Sequence, residues 1–441
     1  MNLKGKKYYF LGIGGIGMSA LAQYLFELGN SVMGYDKTPS PITSQLIELG
    51  ISVIFDSSVE SIPEEYCQKD IQIVFTPAVP ENHPQLIFFK NQGNHLIKRA
   101  QLLGQITKNT TVFAIAGTHG KTTTASILTH LFAHLKVEFT AFLGGIMNQY
   151  QSNIIQKGDT YSIVEADEYD RSFLQLFPDF ACITAMDADH LDVYGDFDTM
   201  KKAFSQFSKL VTQKVVVAKG IDLEGITYSE EGEASYGAKN IRPSEQGYYF
   251  DLVTPTFLHK DIFLKAIGRH NLSNAIGALA VLDSAGFSLE KALPALSTFE
   301  GIRRRMEVFS LGNKLVIDDY AHHPVEIKAV FETVTEFYPN KKNMVVFQPH
   351  LFSRTQDFME AFAQVLDPFD EIVLMDIYPA REEPIPGVSS EVLLDRLKNQ
   401  NKRKINQNEF PSVVVNSPAD LILILGAGDI GNQIQKLKNT A

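Results

Sequence analysis

At 441 residues the chain is too long for one hydrophobic core, so two or three domains are expected. Its 51 acidic against 40 basic residues, a net charge of −11, argue against a general nucleic-acid binder or a protein held on anionic membranes. Two distant cysteines, Cys67 and Cys182, exclude a disulfide scaffold or Cys-based metal spacing and fit a reducing cytoplasm; no apolar run reaches membrane-spanning length, and the first residues lack the apolar stretch of a signal peptide.

Residues 8–13 read as a buried strand that runs into Gly12-Ile13-Gly14-Gly15-Ile16-Gly17, a G-x-G-x-x-G that opens a helix at 18–28. A second strand, 31–35, ends at Asp36, the place of a ribose-binding acid in a dinucleotide-binding βαβ unit. The glycines state only that a diphosphate can approach the backbone. A nicotinamide or flavin dinucleotide satisfies them, and so does UDP joined to a sugar. Asp36 reads equally as a turn residue before Lys37-Thr38-Pro39. A further strand, 71–75, ends in the loop Thr76-Pro77-Ala78-Val79-Pro80, at the strand edge where ligands of parallel sheets collect. A helix at 98–109 and a polar break place the first boundary near 108.

The strand 112–116 then stops at Gly117-Thr118-His119-Gly120-Lys121-Thr122-Thr123, and a helical pattern follows over 123–135. Backbone N–H groups of such a turn, with the helix N-terminus, can cradle phosphate oxygens. Lys121 would reach the outer phosphates and the Thr122 hydroxyl would ligate Mg²⁺. The loop is shorter than a full P-loop, with two residues between Gly117 and Gly120-Lys121 instead of four.

A short strand and turn at 142–146 precede two strands that end in acids. One, 161–164, leads into Glu165-Ala166-Asp167-Glu168; the other, 180–185, leads into Met186-Asp187-Ala188-Asp189-His190. Acids at strand ends suit a Mg²⁺ that wants hard oxygen ligands. Glu165 is the first candidate, and His190 a candidate for a second ion or a ligand water. An amphipathic helix at 196–210, a strand at 214–218 and polar loops or hairpins over 224–242 follow. Asn271 and Asn274, one turn apart before a helix at 275–285, read either as helix caps or as partners of an adenine edge.

Residues 299–307, with Arg303, Arg304 and Arg305, read as a linker into a third domain. Three arginines in a row are ordinarily a solvated surface, yet beside a nucleotide they could stabilise a migrating phosphoryl group. Strands at 314–317, 344–347, 371–376 and 421–425 form an alternating β/α domain whose polar clusters follow strand ends. His322 and His323 are neighbours and would not readily chelate one ion together. A second G-x-G-x-x-G, Gly426 to Gly431, has too little chain after it for a dinucleotide site and reads as close helix–sheet packing. Lys402-Arg403-Lys404 reads as a solvated loop.

Taken together, the Gly12–Gly17 loop, Thr118-His119-Gly120-Lys121-Thr122, Glu165, Asp189-His190, His270-Asn271, Arg304-Arg305, Asp318-Asp319-Tyr320-Ala321-His322-His323-Pro324, Gln348-Pro349-His350-Leu351-Phe352-Ser353-Arg354-Thr355 and Glu382-Glu383-Pro384-Ile385-Pro386-Gly387 resemble, in order and over essentially the whole chain, the Mur ligases that build the peptide stem of peptidoglycan. The resemblance implies an α/β protein of three domains: a Rossmann-like UDP-sugar-binding domain at 1–108, a central P-loop ATPase domain at 109–299 and a Rossmann-like C-terminal domain at 300–441. The motifs are most similar to the branch that adds the first residue, so the implied substrates are UDP-N-acetylmuramate and L-alanine, with ATP and Mg²⁺ (or Mn²⁺). The implied product arises through an acyl phosphate, in a cytoplasmic monomer or homodimer without nucleic-acid or membrane partners.

Carried over residue by residue, Gly117, Thr118, His119, Gly120, Lys121, Thr122 and Thr123 would hold ATP, with Asn271, Asn274 and His323. Thr122, Glu165 and His190 would serve the metal. Lys121, His190, Arg305 and Asp319 would act in catalysis. Gly14, Gly15, Ile16, Gly17 and Asp36 would hold the UDP-sugar, and His350 and Arg354 the alanine, with Arg354 on its carboxylate. Leu351 stands where many relatives carry arginine, and Met306 where they carry phenylalanine; Phe204 falls where later-acting relatives carry a modified lysine. Three rivals are a recycling ligase that joins a murein tripeptide to the same UDP-sugar, an NAD-dependent oxidoreductase and a non-catalytic nucleotide-binding regulator. The oxidoreductase leaves the phosphate loop and Glu165 unexplained.

Overall fold

The computed structural model describes residues 3–187, 191–380 and 382–440. It is an α/β chain with three sheets. By contact density it divides into two compact units, Met1–Asn240 with Phe250–Phe263 and Ser273–Phe299, and Ile241–Tyr249 with Leu264–Leu272 and Glu300–Ala441.

The first unit begins with a five-stranded, all-parallel sheet ordered 52–54, 31–35, 7–11, 72–75, 95–98. Its strand order reverses between Lys7–Leu11 and Gln72–Phe75, so the crevice at their C-terminal ends is the switch point where ligands of open parallel sheets bind. A Cβ on Gly12, at φ +82°, would touch Thr76 and Val79, which places the glycine loop and the Pro-rich loop side by side there.

In the ten-stranded second sheet, Thr111–Ala116 lies between Phe180–Ile183 and Tyr161–Ala166, all parallel. The phosphate loop and both acid-ended strands therefore finish on one edge. The helix Ile16–Glu27 packs on Phe139–Met147, and one apolar cluster runs from Tyr8, Phe10 and Leu103 to Val164, Phe173 and Phe207. The burial of apolar area that stabilises these two sheets is thus shared. Phe204 is fully buried, edge-on to Phe173 at 5.2 Å.

Two expectations change here. The polar stretch 224–242, expected as loops or hairpins, is largely strand, Ile226–Ser229 and Tyr236–Ser244, paired in parallel rather than as a hairpin, because Tyr228 and Tyr236 bury one face while the polar residues stay outside. The helix expected at 275 starts at Arg269: burial of Leu272 overrides the weak helix propensity of the Asn- and Ser-rich turn.

The second unit holds a six-stranded sheet ordered 307–311, 314–319, 421–425, 343–347, 371–374, 402–404, parallel except for its first strand. Its central strands are apolar throughout because both faces are covered. Ile317, Val345, Phe347 and Leu423 face one cluster, and Val316, Val346, Ile422 and Ile424 the other. Lys402–Lys404 is not a solvated loop but the edge strand, tied down by Arg403–Glu371 at 2.8 Å and by Lys404 to Asp376 at 2.5 Å and to Glu391. A charged edge discourages pairing with another chain.

Candidate active site

In the first unit the chain turns from Thr111–Ala116 into the helix Lys121–His134 through Gly117, at φ +136°, and Gly120, at φ +80°. Both glycines are required twice over. Their φ values suit glycine, and a Cβ at either would overlap Thr184 or Asn274. Thr118 is pinned to the neighbouring strand end, its N–H donating to Ala185 O at 3.1 Å and its hydroxyl accepting from Asp187 N at 3.0 Å. His119 O accepts from the Thr184 hydroxyl, and His119 Nε2 lies 3.7 Å from Asp187 Oδ2.

Lys121 Nζ donates to Gly117 O at 2.6 Å and to both oxygens of Glu168, at 3.0 and 2.8 Å. Burial pulls its pKa down, but Glu168, then Asp167 and Glu165, outweigh it, so the ammonium is held charged. Thr122 Oγ1 donates to Glu165 Oε1 at 3.0 Å, and Glu165 Oε2 accepts from Gly144 N at 2.8 Å. Thr123 is buried in the first turn. Asn274 Oδ1 accepts from the Thr124 hydroxyl at 3.3 Å, which puts its amide against Gly120 rather than at a helix cap. His190, assigned a metal and catalytic role from sequence, lies outside the described residues. Among the described residues no three His, Cys, Asp or Glu side chains form a metal-holding cluster.

In the N-terminal sheet of this unit, Gly15 precedes the helix Ile16–Glu27 and the Gly14 N–H donates to Asp36 Oδ2 at 2.8 Å. Asp36 therefore braces the glycine loop from within. Gly17 lies under the Arg99 guanidinium, whose Nη2 donates to Asp167 Oδ2 at 3.0 Å; Asn153 Nδ2 donates to Ile16 O at 2.5 Å and to Ser19 Oγ at 3.2 Å.

Sequence reasoning missed these partners. Glu168 stood in the acidic strand end without a role, although a fully buried acid beside a glycine-loop lysine is the pair such a site needs. Gly144, in a Gly-Gly pair inside the strand Phe139–Met147, was legible as a close approach. Arg99 and Asn153 carry no local signal.

In the second unit, Asp319 ends the strand Lys314–Asp319. Its carboxylate accepts from Met306 N at 2.6 Å and Ala321 N at 2.8 Å; burial, partly offset by Arg305, pushes its pKa up to about 6. The Arg305 guanidinium stacks on Tyr320, 5.1 Å from the ring centroid. His323 is the N-cap of the helix Pro324–Phe337, its Nδ1 accepting from Val325 N at 3.3 Å, with its ring on Phe358. His322 turns the other way, toward Glu326 and the ring of His350, so the two histidines diverge as expected. Asn271 is spent on Ile267 O at 2.8 Å. His270 beside it is held near pKa 4 by burial and then by Arg305.

His350 stacks on Tyr378, and its Nδ1 lies 3.4 Å from Nη1 of the buried Arg354. Leu351 between them adopts φ +71°, a strained value for a γ-branched residue. The second unit thus gathers Asp319, His322, His350 and Arg354 after the C-terminal ends of the two strands that flank Leu421–Leu425, with Arg305 before the antiparallel edge strand, while the first gathers Lys121, Thr122, Glu165 and Glu168.

The chain matches sequence models described as the Mur ligase family catalytic domain over residues 7–111, the Mur ligase middle domain over 115–282, and the Mur ligase glutamate ligase domain over 304–428. It is 49% identical over 433 residues to the UDP-N-acetylmuramate–L-alanine ligase of Flavobacterium psychrophilum, covering 98% of this chain and 97% of that one. The ligase of the same name from Flavobacterium johnsoniae is 47% identical, covering 99% and 98%. Among solved structures, the UDP-N-acetylmuramate–alanine ligase of Thermotoga maritima superposes with a TM-score of 0.85 at 29% identity, covering 99% of this chain and all of that one. A murein peptide ligase from Psychrobacter arcticus, at TM-score 0.73 and 20% identity, shares the fold. A phosphate loop with its lysine and acid partners, preceded and followed along the chain by segments that form a parallel and a mostly parallel sheet, and matched by three family models, places the protein in the Mur ligase family.

Proposed function

We propose that this chain is an ATP-dependent ligase that joins L-alanine to UDP-N-acetylmuramate in peptidoglycan precursor synthesis. The observation that carries the chemistry is the pairing of Lys121 with Glu168 beside the Thr122–Glu165 pair at the head of one helix. A carboxylate attacking the γ-phosphate of ATP meets like-charge repulsion, and phosphoryl transfer needs mainly positioning and positive charge. Lys121 supplies that charge once phosphate oxygens replace Glu168 as its partner. Glu168 keeps the ammonium ionised until then.

Thr122 and Glu165 offer hard oxygen donors 3.0 Å apart, a fit to Mg²⁺ or Mn²⁺. When bound, the ion neutralises phosphate oxygens. His190 serves a second ion in this reading. Gly117 to Thr123, Asn271, Asn274 and His323 belong to the nucleotide, and Gly14, Gly15, Ile16, Gly17 and Asp36 to the UDP-sugar. Asp36 acts through the loop it braces rather than by direct contact alone. Arg305 steadies the transferred phosphoryl group and Asp319 fixes the Arg305 segment. His350 and Arg354 receive the amino acid, Arg354 pairing its carboxylate. The acyl phosphate formed on the muramoyl carboxyl is then attacked by the alanine amine, and phosphate leaves.

Domain limits of 1–108, 109–299 and 300–441 and a cytoplasmic location complete the proposal. No helix among the described residues is long and apolar enough to cross a membrane. The test is phosphate release from ATP with UDP-N-acetylmuramate in the presence of L-alanine, murein tripeptide or no acceptor. Alanine-dependent release with a UDP-muramoyl-alanine product by mass is expected. Dependence on tripeptide would move the assignment to the recycling ligase, and acceptor-independent behaviour would overturn the ligase reading.

A further inference from the structure

The second G-x-G-x-x-G, Gly426-Ala427-Gly428-Asp429-Ile430-Gly431, has no place in the proposed reaction. It nevertheless holds a charged group, one that the chain itself supplies. Arg304 Nη1 donates to Gly428 O at 3.4 Å and Nη2 donates to Gly426 O, while Nε lies 3.4 Å from Asp318 Oδ1. Asp318 is 1% exposed, and its Oδ2 meets no donor among the described residues, so Arg304 is the main cation answering a buried carboxylate. Gly431 sits in the first turn of the helix Ile430–Thr440, and a Cβ there would come 2.5 Å from Nη1 and 2.7 Å from Cζ. The opposite side of the loop is closed by Gln348, whose Nε2 donates to Asp429 Oδ1 at 2.7 Å and whose Oε1 accepts from Ile430 N at 3.0 Å.

The residue after Arg304 is Arg305, and the segment is strained. Arg304 and Met306 have φ of +60° and +47°, values that persist in non-glycine residues only where the surroundings over-determine them. The restraints surround Arg305 on both sides. Arg304 N donates to Glu307 Oε2 at 3.1 Å, Tyr320 N donates to Arg304 O at 2.7 Å, and Met306 N donates to Asp319 at 2.6 Å. Glu307 is in turn paired at 2.6 Å with Lys438, from the same helix that carries Gly431. The guanidinium carbons of Arg304 and Arg305 each lie 5.1 Å from the Tyr320 ring centroid. A planar fork that satisfies two carbonyls and a carboxylate at once fixes direction in a way a lysine ammonium does not.

We propose that the C-terminal glycine loop is a receptor for the chain's own Arg304, and that Arg304, seated in it, is a positioning residue that aims Arg305. The proposal rests on the reading of Arg305 as the arginine at the transferred phosphoryl group. The test compares Arg304→Ala, Arg304→Lys, Gly431→Ala and the Arg304→Ala/Gly431→Ala pair in alanine-dependent phosphate release, with Arg305→Ala alongside.

Gly431→Ala raises helix propensity, so a loss in that variant comes from the guanidinium it displaces and not from the helix. Each single variant is expected to lower kcat about 100-fold with the KM for UDP-N-acetylmuramate nearly unmoved. The double variant is expected to be no slower than Arg304→Ala. Added guanidinium ion should raise the rate of Arg304→Ala and not that of the double variant. A Gly431→Ala enzyme with the parent kcat, or penalties that multiply in the double variant, would overturn the receptor. If Arg305→Ala keeps its kcat, the reading of Arg305 fails. The receptor is then judged by thermal midpoints, where non-additive losses in the double variant support it and additive losses refute it.

Discussion

The chain spells G-x-G-x-x-G near both ends, and the two loops answer opposite charges. In the N-terminal loop the backbone offers N–H groups, and a carboxylate takes one: Asp36 accepts from Gly14 N. In the C-terminal loop the backbone offers carbonyl oxygens, and the Arg304 guanidinium takes two. In each, glycine permits close approach and does not decide the sign of what approaches. That sign is set by the residue that a neighbouring segment delivers, Asp36 after the strand Ser31–Tyr35 and Arg304 before the strand Glu307–Leu311. In the first loop the bonds of Gly12, Ile13, Gly14 and Gly15 leave the N-terminus of the helix Ile16–Glu27 as the group that the proposed reading offers to a diphosphate, while the second loop is filled from within.

The widest separation between binding loop and reaction loop comes from Lys121→Ala. This variant is expected to lower kcat about 1,000-fold or more while calorimetric affinity for UDP-N-acetylmuramate barely changes, since the lost charge acts on the reacting phosphate. Equal losses in both would break the division of labour between the loops. Next, Gly14→Ala brings a Cβ to 2.7 Å from Thr43 and 2.8 Å from Asp36 Oδ2. Overpacking of this kind costs about 1–3 kcal/mol, so the KM for the UDP-sugar should rise about tenfold or more with kcat at saturation held. Gly428→Ala, which crowds Tyr378 and Gln348 instead, should leave that KM alone. A matching rise there would mean that the two loops are not chemically distinct.

A smaller effect follows from the buried acid of the C-terminal loop. Burial pushes Asp318 up to about 7, with Arg304 pulling it back. A carboxyl whose folded pKa is raised contributes its stability below the unfolded value and loses it as pH rises through the folded one. The window runs from the ordinary Asp range near 3.8 to about 7. Asp318→Asn should therefore gain thermal midpoint relative to the parent as pH rises across it. A gap that is flat with pH would show that Arg304 fully compensates the charge. The smallest change expected is Asn153→Ala, which removes the bonds to Ile16 O and Ser19 Oγ and should cost about 1 kcal/mol in urea unfolding without moving kcat. A large loss of kcat would show that the anchoring of the N-terminal loop carries catalysis as well as binding.

The motifs that named the family were legible because each has a local cause. Gly117 and Gly120 sit where only glycine is easy, between an apolar strand and a helix, and Glu165 is the last-but-one residue of a strand whose preceding residues Ile163 and Val164 are buried. The strands at 226–229 and 236–244 could be read only as loops or hairpins because their apolar content is two buried tyrosines, too sparse for periodicity to fix them as parallel strands. Arg303 to Arg305 read either as solvated surface or as charges beside a nucleotide, and neither reading foresaw that Arg304 is taken up by groups more than a hundred residues later in the chain.

By itself, the order of strands, glycine turns and acid-ended segments determined the α/β class, the phosphate loop and the family, since those features depend on residues close together in the chain. Tertiary structure alone decided the partners: Glu168 for Lys121, Gly144 for Glu165, Asp36 for Gly14 and the C-terminal glycines for Arg304. A parallel sheet brings strand ends from distant segments to one edge. The charge that meets a given backbone turn there is a property of sheet order and not of local spacing.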